Sequence, residues 1–231
     1  MTDLSVDVVF LDAGGVLVVP THDVICERFA AAGFAIDPGL LFEAHYRGVH
    51  AIDRARAEPE VFADYHRAYA AHLGIGDDAI ATATAVLDDL WATSGLWQQP
   101  LPWAAEGLAA IAETGVPIVI VSNADGTVDQ VLAASGLLQV GPGAGTEVVA
   151  IVDSGAVGIA KPDPAIFHHA LELVGATPER AIHVGDAYQY DVRGARAAGV
   201  RPVLVDPLDI RTDADCERVR SLVEVVDLIR S

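Results

Sequence analysis

Three short apolar runs in this chain stop abruptly on small polar or acidic residues. Val8–Leu11 halts at Asp12, followed by Ala13, Gly14 and Gly15; Pro117–Val121 halts at Ser122 and Asn123; Ala181–Val184 halts at Gly185 and Asp186. Runs of this length, unbroken by polar residues, read as strands buried on both faces, which is the habit of parallel sheets. The residues just past the carboxyl ends of such strands are where open α/β sheets bind ligands. Gly14 and Gly15 carry no Cβ, so the backbone N–H groups there are expected to approach an anion closely. Taken alone, Asp12 would read as a solvated residue opening a turn.

From Pro102 onward strands and helices alternate. Helices are expected over 102–114, 125–135, 191–198 and after Asp163, which caps a helix with Pro164 first and Gly175 last. Further strands are expected at Val148–Val152, Pro202–Val205 and Val219–Leu222, with Gly141–Gly145 as a loop. This alternation predicts a doubly wound parallel sheet. Between Pro20 and Gly95 the pattern is helical throughout. One helix is expected over 24–32, one around Gly39–His50, and one from Pro59 with Val61, Phe62, Tyr65, Tyr69 and Leu73 inward. A fourth is capped by Asp77 and turns Ile80, Leu87 and Trp91 inward. The expected domains are therefore a core of residues 1–19 and 97–231 and an inserted helical module of residues 20–96. Pro20 and the Gln98–Trp103 segment mark the joints.

Charge narrows the function classes. Thirty-three acidic against fourteen basic residues leave a net charge of −19, which repels nucleic-acid backbones and anionic lipid. No nucleic acid and no membrane partner is expected. The two cysteines make no metal spacing and no disulfide framework, and the first apolar run is too short to span a bilayer. A cytoplasmic location is expected. Lys161 is the only lysine; the other thirteen basic residues are arginines.

The four motifs, taken in order, resemble those of the haloacid dehalogenase (HAD) superfamily of hydrolases, whose Rossmann-like core carries an inserted α-helical cap. FLDAGGVL resembles the first motif, IVSNADG the second, GIAKPDP the third and HVGDAYQYDVRGARAAG the fourth. The resemblance implies Asp12 as nucleophile, Ser122 as the hydroxyl that holds the transferred group, and Lys161 as the motif lysine. Asp186 and Asp191 are the implied acidic pair. The implied activity is a Mg²⁺-dependent phosphatase or phosphotransferase acting on a small phosphorylated metabolite through an aspartyl-phosphate. Asp12, the Gly14 carbonyl, Asp186 and Asp191 would hold the metal, with Asp191 as ligand or outer partner. Ala13, Gly14, Ser122, Asn123 and Lys161 would bind substrate.

One position departs from the pattern. Phosphatases of this superfamily usually carry a second Asp two residues after the nucleophile as general acid and base, and here that residue is Gly14. The helical module offers His22, His45, His50, His66, His72, Tyr46, Tyr65 and Tyr69 as substitutes, though each alone is better read as surface or packing. Two alternatives remain: a metal-free haloacid-dehalogenase-type hydrolase, which also lacks the second Asp, and a binding or regulatory homologue with little turnover. The Gly185–Asp186 pair argues against the first, and the absence of a lysine from the module argues against phosphonate cleavage through a Schiff base.

Overall fold

The computed structural model describes residues 6–54 and 61–231. The chain divides into two compact units, one of residues 1–18 with 100–231 and one of Val19–Gln99. Short strands β2 (Val18–Val19) and β3 (Gln99–Pro100) pair where the chain crosses between them.

The first unit is built on β1 (Val8–Leu11), β4 (Ile118–Ser122), β7 (Ala150–Asp153), β8 (Ala181–Gly185), β9 (Arg201–Val205) and β10 (Glu217–Val219), in spatial order β10-β9-β8-β1-β4-β7. Every neighbouring pair is parallel. The chain steps outward from β1 through β4 to β7, then returns to lay β8 on the other side of β1. The strand order therefore reverses between β1 and β8, which is where doubly wound sheets open a crevice at their carboxyl ends. Alternating residues divide between the faces: Val8, Phe10, Val119, Val121 and Val152 join Ile166, Phe167, Ala170 and Ala195 in one core. Those last four come from α8 (Ala165–Val174) and α9 (Arg193–Ala197). Gly107 of α5 (Ala104–Ala112) lies so near Leu222 that a Cβ would fall 2.6 Å from the leucine Cβ. Leu222 leads into α10 (Val225–Arg230), which also packs on α5.

The second unit holds α1 (His22–Ala31), α2 (Leu41–Arg54), α3 (Val61–His72) and α4 (Ile80–Trp91). Rings fill its interior. Tyr65 lies 5.7 Å from Tyr69 and 5.4 Å from Trp91 between centroids, and Gly48 makes room for it, since a Cβ there would meet the Tyr65 ring at 2.7 Å. No strand lies between α1 and α4 among the described residues, and no described helix is long and apolar enough to cross a membrane.

Several local expectations change. The expected start at Pro59 lies outside the described residues. Phe62 is 53% exposed rather than inward, because its ring lies on the outer edge of Tyr65 and His66. Asp77 opens a turn ahead of α4, whose first residue follows Ala79 without a side-chain cap. Strand 148–152 is split at exposed Val149 into β6 (Thr146–Val148) and β7, with β6 pairing in parallel to β5 (Leu138–Val140). The Gln139 amide closes that small coil by bonding to Gly141 and Gly145. Helix α6 (Val128–Ala134) starts three residues later than expected, since Asp125 turns its carboxylate onto Thr127. The helix expected from Asp191 begins earlier, as a π-turn over Tyr188–Val192.

Candidate active site

The carboxyl ends of β1, β4 and β8 bring the expected residues together. Asp12 follows β1, and its backbone N–H donates to Val184 O of β8 at 2.9 Å. Its Oδ1 accepts from the Ala13 N–H at 2.7 Å, and its Oδ2 pairs with Lys161 Nζ at 2.9 Å. Ser122 ends β4 two residues past Ile120, the register partner of Leu11, and is buried. Asp186 follows β8. Asp12, Asp186 and Asp191 each offer an oxygen, and these oxygens lie within 4.8 Å of one another.

Glycines make that approach possible. Gly15 has φ +66°, and a Cβ there would sit 1.9 Å from Asp186 Oδ2. No side chain fits, so the turn after β1 and the carboxylate after β8 depend on each other. A Cβ on Gly185 would similarly fall 2.1 Å from Asp191 Cγ. The expectation that the Gly15 N–H faces an anion is corrected: it donates to Val18 O at 2.8 Å and closes the turn. Gly14, partly exposed beside Asp12, bridges to Val18 and is not among the glycines of positive φ.

Lys161 precedes α8 and is 3% exposed. It reaches Asp191 Oδ1 at 2.7 Å as well as Asp12. Asn123, expected on substrate, has its side chain engaged elsewhere. Its Oδ1 accepts from Lys161 N at 2.7 Å and its Nδ2 donates to Lys161 O at 2.9 Å, clamping the lysine backbone 38 residues away. Asp191 is enclosed by donors: Lys161 and His183 on Oδ1, and the Ala187 N–H on Oδ2 at 2.9 Å.

Charge states follow from these contacts. Burial pushes the Asp12 carboxyl above its ordinary range, ahead of the lowering effect of Lys161. Burial acts on Asp191 in the same sense, but the Lys161 charge and the His183 hydrogen bond outweigh it and hold that group well below the ordinary carboxylate range. Burial works against the Lys161 ammonium, yet Asp12 and Asp191 carry its pKa upward. An oxygen-only set of this kind suits a hard divalent cation such as Mg²⁺.

His183 was not anticipated. It lies in β8, 0% exposed, with Nε2 2.9 Å from Asp191 Oδ1. Its one signal in sequence is a histidine inside an otherwise apolar strand. In the helical unit, His45 is buried with Nδ1 2.8 Å from the Tyr65 hydroxyl, and His66 is buried with Nδ1 2.6 Å from Asp88.

A family model for haloacid dehalogenase-like hydrolases matches residues 6–199. The chain belongs to that family. Haloacid dehalogenase-like hydrolase domain-containing protein 3 of Bos taurus is 34% identical over 140 residues, covering 59% of this chain and 53% of that protein. The phosphoserine phosphatase of Thermus thermophilus is 49% identical over 90 residues, 37% of this chain and 36% of its own. The chain spans about half the length, or less, of these curated relatives. Among solved structures, a putative HAD-hydrolase of Bacillus subtilis bound to magnesium superposes with a TM-score of 0.61 at 16% identity, over 97% of this chain and 98% of that one. Phosphatases and dehalogenases both stand among the structures sharing this HAD fold.

Proposed function

We propose that this HAD hydrolase is a Mg²⁺-dependent phosphatase or phosphotransferase acting on small phosphorylated metabolites, with Asp12 as nucleophile. The observation that carries the reading is the gathering of Asp12, Asp186 and Asp191 oxygens within 4.8 Å beside Lys161. Three carboxylates would repel an anionic haloacid or phosphate, so the cluster makes chemical sense with a cation. Asp12 and Asp186 with the Gly14 carbonyl would hold it, while Asp191, already enclosed by donors, is the outer partner. Bound there, Mg²⁺ would supply charge neutralisation between nucleophile and phosphate. The phosphatases among the relatives support the same class.

In this reading the Asp12 carboxylate attacks phosphorus and the bond to the leaving oxygen breaks, forming an aspartyl-phosphate that water then hydrolyses. Lys161 Nζ and the Ser122 hydroxyl hold the nonbridging oxygens and keep the attack in line. The helical unit is the family's cap, where substrate choice resides.

Gly14 sets the substrate's leaving group. With no carboxyl two residues after Asp12, an aryl or acyl phosphate, whose leaving group departs without a proton, is favoured over a sugar phosphate. Phosphate release from aryl, acyl and alkyl phosphates should be measured across a Mg²⁺ titration, for wild type and Gly14→Asp. The expected result is Mg²⁺-dependent turnover of the aryl and acyl esters. Gly14→Asp, at a position without left-handed backbone, should raise alkyl-phosphate turnover by about 10²-fold, far more than aryl turnover. Metal-independent halide release from 2-haloacids would replace this reading with a dehalogenase, and absence of all turnover would replace it with a binding role. Sugar phosphates cleaved as fast as aryl ones would mean the proton comes from elsewhere.

A further inference from the structure

We propose that His183 is a positioning residue: its Nε2–H pins the Asp191 carboxylate, which in turn aims the Lys161 ammonium at Asp12. The chain of contacts is continuous. His183 Nε2 lies 2.9 Å from Asp191 Oδ1, the same oxygen lies 2.7 Å from Lys161 Nζ, and that nitrogen lies 2.9 Å from Asp12 Oδ2. An ionised carboxylate only accepts hydrogen bonds, so the imidazole must carry its proton on Nε2. The other ring nitrogen, Nδ1, is buried with no hydrogen-bond partner among the described residues, and the ring meets Phe167 edge-on at 4.8 Å. A proton on Nδ1 would be an unsatisfied buried donor, which selects the neutral Nε2–H tautomer. A histidine that leaves one ring nitrogen unused inside an apolar core is a poor choice for packing alone, since leucine would fill the space without that penalty. What leucine lacks is the bond to Asp191.

Without that bond, Asp191 Oδ1 keeps only the lysine, and the carboxylate is free to rotate about the Ala187 bond on Oδ2. Lys161 would then be drawn toward Asp191 and away from the phosphoryl position. The inference deepens the proposed function and rests on it for the rate measurement only.

The test uses the fact that Lys161 is the chain's only lysine: ¹⁵N-lysine labelling yields a single side-chain ammonium resonance. The full chain is labelled on lysine Nζ and on histidine ring nitrogens, as wild type, His183→Leu and His183→Gln. In wild type, the ring signal that disappears in both variants should show Nε2 protonated and Nδ1 bare, and the ammonium should be sharp and slow to exchange. His183→Leu should shift and broaden the ammonium, and His183→Gln, whose amide supplies an N–H at a similar reach, should restore it. In turnover of an aryl phosphate, kcat should fall by about 10- to 100-fold in the leucine variant with little change in KM, and recover in the glutamine variant. An unchanged ammonium signal in His183→Leu, a glutamine variant as perturbed as leucine, or a proton on Nδ1 overturns the proposal. The tautomer is read on wild type, so the test survives a leucine variant that fails to fold. Should no phosphate be turned over at all, the proposed function falls, while the ammonium and tautomer signals still decide the role of His183.

Discussion

Asp153 and Asp12 stand at the carboxyl ends of two strands of one sheet, and their surroundings make them opposites. Asp153 ends β7, 5% exposed, and its oxygens accept from the backbone N–H groups of Gly126 at 3.0 Å, Val128 at 3.2 Å and Gly155 at 2.9 Å. It ties the start of α6 to the start of α7 (Ser154–Val157). Asp12 takes one backbone N–H and otherwise faces Lys161 and two further carboxylates. A buried carboxylate whose lone pairs are filled by the backbone is part of the scaffold. One left to a lysine and to like charges has its charge held available for chemistry.

The widest separation between the two should come from the amide at each position. Asp12→Asn is expected to lower turnover by at least about 10³-fold, because an amide is a poor nucleophile and a weaker metal ligand. Its melting temperature should hold or rise, because one of three crowded carboxylates is neutralised. Steady-state rates beside thermal melts check both halves, and activity within a few-fold of wild type would remove Asp12 from the mechanism. Next in size is Gly15→Ala. The new Cβ is placed 1.9 Å from Asp186 Oδ2 on a backbone of φ +66°, so a loss of roughly 2 kcal/mol is expected together with the Mg²⁺ response. Gly74→Ala, also of positive φ but with open space around it, should cost only about 1 kcal/mol and leave the metal titration unchanged. Equal effects from the two would mean that Gly15 matters for its turn alone and not for its carboxylate neighbour.

Asp153→Asn should be the reverse of Asp12→Asn. About 1–2 kcal/mol of stability is expected to go as charged acceptors are lost from two helix starts, with kcat and KM unchanged. Urea unfolding beside kinetics tests it, and a changed kcat with unchanged stability would erase the distinction between the two aspartates. The smallest effect belongs to the helical unit. Burial lowers the His66 pKa more than the Asp88 contact raises it, so the unfolded chain binds this proton more readily than the folded one. Its contribution is complete above the free imidazole value of about 6.5 and is lost as pH falls below it. His66→Phe should flatten the decline of stability between neutral and mildly acid pH, and an unchanged slope would assign that decline to other groups.

Much of the core was legible because its signals are local. A four-residue apolar run cannot hide its end, so Asp12, Ser122 and Asp186 could be placed at strand ends from sequence, and the lone Lys161 stood out by count. Trp91 and Phe62 show the limit on the helical side. Helical period placed both inward, yet Phe62 is 53% exposed and Trp91 partly so, because the width of a buried stripe depends on which helices arrive to cover it.

The sequence by itself determined where the strands stop and which residues stand at those ends. Those properties depend on hydrophobic period and on backbone sterics within a few residues. Only the tertiary structure decided what each polar group was for. Asn123, expected on substrate, has its side chain set by the fold against the Lys161 backbone, 38 residues on. Asp153 became the tie between two helix starts only when β4 and β7 paired and the Gly126 turn was laid over it. His183 was one more residue in an apolar strand until the π-turn over Tyr188–Val192 swung Asp191 back onto its Nε2. A hydrogen-bond partner is a property of two segments, and segments distant in the chain become neighbours only when the sheet order brings them together.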